Sequence, residues 1–343
     1  MNFTLYPIYW VADAADDEPF DHRKLPFHVI DGVHIEDISG RFNKGSFDIF
    51  REHLASGVVR NLGEVRYALV DRYVVRPGTL DGEYLDDAAW KKRSKQTVEK
   101  LAACLRLIRP MRQRVLTIWG DINHDEKFNV EGFDVPVVEL IEVPEVQKHF
   151  MLRNRDAEDL RTYAPEFLRA MSGEFWKFRM AVQFHDLGHF QPLDWKARYL
   201  LWCSAIEAMY TTDKNKGSAI AISRIKFFLG ENTSIYPPGD IPSLLTDPQI
   251  AVGQIVPDLY TLRNLMAHGN KIADRFFNDT PRVGFNGGVP TWMVLLEAAS
   301  FVIRTSLLRI LRDNLLNNFA NAFSADAFFP APKFPRVQHK RRP

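Results

Sequence analysis

Residues Pro257–Asn270 read PDLYTLRNLMAHGN. Leu259, Leu262, Leu265 and Met266 recur at helical spacing and make one apolar stripe, so a helix with a buried face is expected here. Gly269 is placed to adopt the left-handed conformation that ends a helix, which puts His268 in its last turn. Arg263 and His268 stand five positions apart, about 140° around the axis and ~7.5 Å along it. They do not share a face, but the helix end frees His268 to swing toward the Arg263 side.

The same periodicity extends on either side. Helices are expected over Ala157–Met171, Glu174–Asp186, Asp194–Thr211, Ser218–Leu229, Pro248–His268 and Pro290–Asn318. Gly188, Pro192, Gly217, Gly230, Pro237-Pro238-Gly239 and Gly287-Gly288 punctuate them. Helices joined this way pack as a bundle around one core. Before about residue 150 the pattern is mixed. Phe27–Ile38, Arg66–Arg76, Val115–Trp119 and Val135–Val143 read as strands, the last with Pro136 at an edge or bulge. Ser46–Ala55, stopped by Gly57, and Asp86–Ile108, stopped by Pro110, read as helices. The expected fold is therefore an α+β N-terminal domain (1–150) followed by an all-α helical bundle (155–320). A Pro-rich, then basic, tail over 326–343 is expected to be disordered.

With 343 residues, 46% of them hydrophobic and 25% charged, the chain has material for two cores. Lys and Arg (44) balance Asp and Glu (43), so no global basic field advertises nucleic-acid binding. Two distant cysteines, Cys104 and Cys203, exclude a disulfide scaffold and suit a reducing cytoplasm. The first residues lack a basic region followed by a long apolar run, so no signal peptide is expected. Thr291–Ile303 carries Glu297 and is too short to span a bilayer, so no membrane is expected as a partner. There is no Walker-type loop and no G-x-S-x-G, which leaves NTPase and α/β-hydrolase chemistry without support.

Tyr260–Asn270 (YTLRNLMAHGN) resembles the signature of the HEPN superfamily, in which an Arg, a polar residue, a few spacers and a His close a helix. Tyr199–Tyr210 (YLLWCSAIEAMY) resembles the aliphatic helix of the ApeA-like HEPN branch. Ser218–Glu231 (SAIAISRIKFFLGE) resembles its next helix and Trp292–Leu311 its closing helix. The resemblance spans about residues 170–318 and leaves 1–150 without a family. It implies a metal-independent endoribonuclease with no cofactor, dimeric through the helical domain, in the setting of defence against phage. It also implies that RNA is cleaved when the ribose 2′-hydroxyl attacks the adjacent phosphate, a chemistry DNA lacks. In that scheme His268 is the general acid or base, its ordinary pKa of ~6.5 suiting proton transfer near neutrality. Arg263 holds the phosphate and stabilises its transition-state charge, and Asn264 orients groups at the site. Members that keep the fold without catalysis supply the second reading, an interaction or dimerisation module. The N-terminal domain would then bind a ligand or trigger whose nature the residues do not specify. Glu207, on an otherwise apolar helix, either faces the site or pairs with an Arg such as Arg224.

A third reading comes from His185-Asp186-Leu187-Gly188-His189, which resembles the HDLGH string of HD-type metal phosphohydrolases. There an adjacent His and Asp bind a divalent metal, and position alone offers His149 and Asp213 to complete the set. Gly188 and Pro192 signal that the helix ends here, which places the pair in a loop or helix end. Elsewhere, Lys91-Lys92-Arg93-Ser94-Lys95 is read as a solvated face. With Arg106, Arg109, Arg112 and Arg114 it offers a basic surface if RNA is bound. His124-Asp125 reads as a solvated loop, and Trp10, Trp90, Trp119 and Trp176 as core.

Overall fold

The computed structural model describes residues 1–8, 20–54, 59, 62, 65–74, 78–80, 83–109, 117–134, 152–189, 194–235, 250–278 and 290–330. Its N-terminal part holds β1 (Asn2–Ile8), β2 (Phe27–Ile30), β3 (Val33–Asp37), α1 (Lys44–His53), β4 (Tyr67–Tyr73), β5 (Gly78–Leu80), β6 (Glu83–Leu85), α2 (Asp87–Ile108), β7 (Thr117–Ile122) and β8 (Phe128–Asp134). Six of these strands form one antiparallel sheet in the order β2-β3-β4-β1-β7-β8, and β5-β6 is a separate hairpin. Phe27–Ile38, expected as one strand, is a hairpin. Asp31-Gly32 turns it, with Gly32 at φ 83°, and Phe27 pairs with Ile35. β1 and β8 were not expected. In β1, Pro7 argues against a central strand. Among the described residues, pairing with β7 runs over Asn2–Leu5 and stops short of Pro7. The expected strand Val135–Val143 lies outside the described residues, as do Gly57 and Pro110.

The C-terminal part is helical: α3 (Asn154–Ser172), α4 (Trp176–Leu187), α5 (Trp195–Tyr210), α6 (Ser218–Leu229), α7 (Val252–Ala267), α8 (Thr291–Arg312) and α9 (Ala322–Phe328). α8 runs through the middle and packs on α2, α3, α4, α5, α6 and α7. Val294, Leu295, Ala298, Ala299, Val302 and Ile303 on α8 are buried. It ends at Arg312 rather than at Asn318, because Asn314 takes a left-handed conformation (φ 54°).

Each face of the sheet supports a different core. Phe3, Leu5, Val70 and Ile118 pack with Phe42 and Phe50 of the α1 side. Tyr6, Ile8, Tyr67 and Leu69 face α2 and join one continuous core that runs on through Leu160, Phe178, Tyr199, Leu259 and Ile303. The expected change at residue 150 is thus a change of element type. Packing runs straight across it: α2 lies against β1 and β4 and also against α3 and α8.

The expected tail begins too early. Asp326 sits in α9 and accepts from Arg224 Nη2 (2.6 Å) and Thr212 Oγ1 (2.9 Å). Phe329 is buried against Tyr210 and Phe228. Arg224, buried in α6, takes its counter-charge from this segment, which is why residues 326–329 belong to the fold. Among the described residues, no helix is long and apolar enough to cross a membrane.

Candidate functional site

α5 and α7 face one another along two polar stripes. On α5, Tyr199, Cys203 and Glu207 recur every four residues and share one face. On α7, Leu259 and Leu262 are buried in the core, while Tyr260 and Arg263 turn toward α5. The Tyr199 hydroxyl donates to the Leu259 carbonyl at 2.6 Å and sets the register of the two helices. One turn further, Arg263 Nη2 reaches both Glu207 oxygens, 2.7 Å to Oε1 and 2.8 Å to Oε2. Arg263 Nη1 donates to Asn264 Oδ1 at 3.2 Å. The Arg263 and Glu207 side chains are 25% and 30% exposed, so this pair lies at the surface end of the seam.

Beneath it the seam is buried. The Tyr260 hydroxyl is buried and has no hydrogen-bond partner among the described residues. Burial holds its phenol well above the usual tyrosine range, with Cys203 and Glu207 adding to the effect. Burial likewise pushes the Cys203 thiol far up, so it is protonated and unreactive.

α7 ends as its sequence implies. Gly269 is left-handed (φ 65°), Asn270 N–H donates to the Leu265 carbonyl (2.8 Å) and Gly269 N–H to the Met266 carbonyl (3.2 Å). These two bonds form a Schellman cap. His268 is the C-cap residue and is exposed. Its side chain makes no hydrogen bond among the described residues, so within one chain Arg263 and Asn264 are brought together and His268 stands apart, open to solvent. Glu207, expected either to face the site or to pair with an Arg such as Arg224, does both through Arg263. Arg224 instead binds Asp326 and the Tyr210 carbonyl. Tyr260 is a site residue that sequence reasoning missed, although the four-residue spacing of Tyr199, Cys203 and Glu207 marks the face it meets.

The HDLGH string has a different environment. His185 and Asp186 lie in the last turn of α4 rather than in a loop, and Gly188 follows with a right-handed φ of −65°. Glycine is required there for space, since a Cβ would lie 2.2 Å from Trp202 Nε1. Asp186 is bound by the buried Arg106, which also donates to the Tyr6 hydroxyl at 2.6 Å. His185 Nε2 and His189 Nε2 are 3.2 Å apart, and Trp202 stacks on the His185 ring. His185 Nδ1 is buried without a partner. The two Nε2 atoms share one hydrogen bond whose donor depends on the tautomer.

Burial holds both imidazoles well below the usual histidine range. Arg304 and Arg106 reinforce this at His185; His185, Arg106, Arg198 and Arg304 do so at His189. Asp213 is exposed on the turn after α5, and His149 lies outside the described residues. Among the described residues, no three His, Cys, Asp or Glu side chains are grouped to hold a metal ion.

Of the suggested basic surface, Lys92 and Arg93 are exposed among the described residues. Lys91 pairs with Glu131 (3.1 Å) and Lys95 with Asp134, and Arg106 is buried. Arg112 and Arg114 lie outside the described residues, as does Trp10. Trp176, expected in the core, is 45% exposed. Compared with protein-family models, curated proteins and solved structures, the chain matches none.

Proposed function

We propose that the chain is a metal-independent endoribonuclease of HEPN type, with Arg263, Asn264 and His268 at its site and a second copy completing the cleft. One observation carries this reading. An accessible guanidinium, oriented by its neighbours, and an exposed imidazole occupy the same capped helix end. In the reaction, the ribose 2′-oxygen bonds to phosphorus and the 5′-oxygen of the next nucleotide leaves. His268 accepts the 2′-hydroxyl proton or delivers one to the leaving oxygen, and two copies supply both roles. Arg263 binds the phosphate oxygens and stabilises the charge that builds on them. Asn264, as acceptor from Arg263 Nη1, orients the guanidinium.

The Arg263–Glu207 ion pair favours a second reading. If that pair is purely internal, the helical domain is a non-catalytic dimerisation or interaction module. Cleavage of RNA by the purified protein in EDTA separates the two. The nuclease reading expects fragments ending in 2′,3′-cyclic phosphate, lost in both Arg263→Ala and His268→Ala. Cleavage unchanged in both variants sinks the site.

A further inference from the structure

We propose that Glu207 is a positioning residue for Arg263, a role that rests on the ribonuclease reading above. The geometry distinguishes it from a competing anion. Arg263 presents five N–H donors in a planar fork. Glu207 meets a single terminal nitrogen, Nη2, with both of its oxygens, instead of spanning two nitrogens side by side. Asn264 takes one bond from Nη1. Among the described residues, nothing takes Nε–H. The plane of the guanidinium is therefore held at two corners, Nη1 and Nη2, while Nε–H and the second Nη1 hydrogen remain as single donors for phosphate oxygens.

The anchor is itself fixed. Glu207 stands two turns along α5 from Tyr199, whose hydroxyl bond to the Leu259 carbonyl locks α5 against α7. The unpartnered Tyr260 hydroxyl and protonated Cys203 below the pair supply no competing charge. A carboxylate held in this way keeps a long, flexible arginine in one orientation, reducing the side-chain entropy lost when RNA binds.

The test uses the full-length protein and a 2′-O-methyl RNA oligomer that cannot be cleaved, with affinity read by fluorescence anisotropy. Turnover of the unmodified RNA is measured alongside. Arg263→Ala is expected to weaken binding about tenfold or more, and Glu207→Ala about threefold to tenfold. Turnover in Glu207→Ala should fall further than affinity does. Glu207→Gln, which keeps one acceptor in place, should recover most of both.

Glu207→Ala binding as tightly as wild type, or tighter, while Arg263→Ala binds weakly, overturns the positioning role and leaves the ribonuclease reading standing. Equal losses in Glu207→Ala and Glu207→Gln, each with a lowered unfolding midpoint, mark a merely structural contact and overturn it too. Arg263→Ala binding and cleaving like wild type overturns the ribonuclease reading itself, and the inference with it.

Discussion

The ends of α4 and α7 carry much the same kinds of residue and lead opposite lives. At α4, His185, Asp186 and His189 surround Gly188. At α7, Arg263 and His268 precede Gly269. The α4 end is roofed by Trp202, and its one carboxylate is taken by a buried arginine from α2. The α7 end projects beyond the seam with α5, its arginine a quarter exposed and its histidine open. A run of His and Asp is thus no better guide to chemistry than the partners that reach it. At α4 the groups are spent on joining the sheet to the helices. At α7 the arginine is oriented and both it and the histidine are accessible.

Four experiments sharpen or break this contrast. His268→Ala should lower RNA cleavage by about 10²–10⁴-fold, the range for a lost general acid or base, with little change in unfolding midpoint. A large loss of stability instead would make His268 structural.

Asp186→Ala strands the Arg106 guanidinium in the core and should destabilise the protein by about 3–5 kcal/mol in urea unfolding. If stability holds while a bound divalent metal is lost, the α4 end is not the sealed structural joint described above.

The third experiment is a pH series. His185 and His189 stay neutral in the folded chain, whereas in the unfolded chain they take up protons below about pH 6.5. Their contribution to stability is complete above that pH. It is lost as pH falls toward their lowered folded values, by up to about 1.4 kcal/mol per pH unit for each histidine. Unfolding at pH 7.5, 6.5 and 5.5 should show this slope, and a His185→Gln/His189→Gln variant should flatten it.

Gly269→Ala forces a Cβ into a left-handed residue and should cost about 1–2 kcal/mol, read in the same denaturation assay. Its Cβ would meet nothing within 4 Å, so the cost is conformational rather than steric. An unchanged midpoint would mean that the Schellman cap does not hold His268 in place.

Much of the helical half was legible in advance. α6 spans Ser218–Leu229 as its periodicity and flanking glycines imply, and α7 closes on Gly269 as expected. These are local matters: apolar spacing marks a buried face, and glycine alone enters the left-handed region cheaply. The sheet was less legible. β1 contains a proline yet sits between β4 and β7, and nothing within its seven residues says which neighbours will pair with it. The site was half legible. Arg263, Asn264 and His268 could be chosen from one helix end. The partner of Glu207 could not, because Arg224 and Arg263 both follow it within a few dozen residues and only the packing of α5 decides between them.

The sequence by itself determined where most of the helices run, where α7 stops, and that an arginine, an asparagine and a histidine stand at its end. Each of these depends on spacing and backbone preference within a few turns. Only the tertiary structure decided that the sheet and helices share one core, that His185 and Asp186 pack against Trp202 and Arg106, and that Glu207 pairs with Arg263. Those outcomes join residues 17 to 80 positions apart or more. They depend on which surfaces meet once every apolar stripe has been buried at the same time.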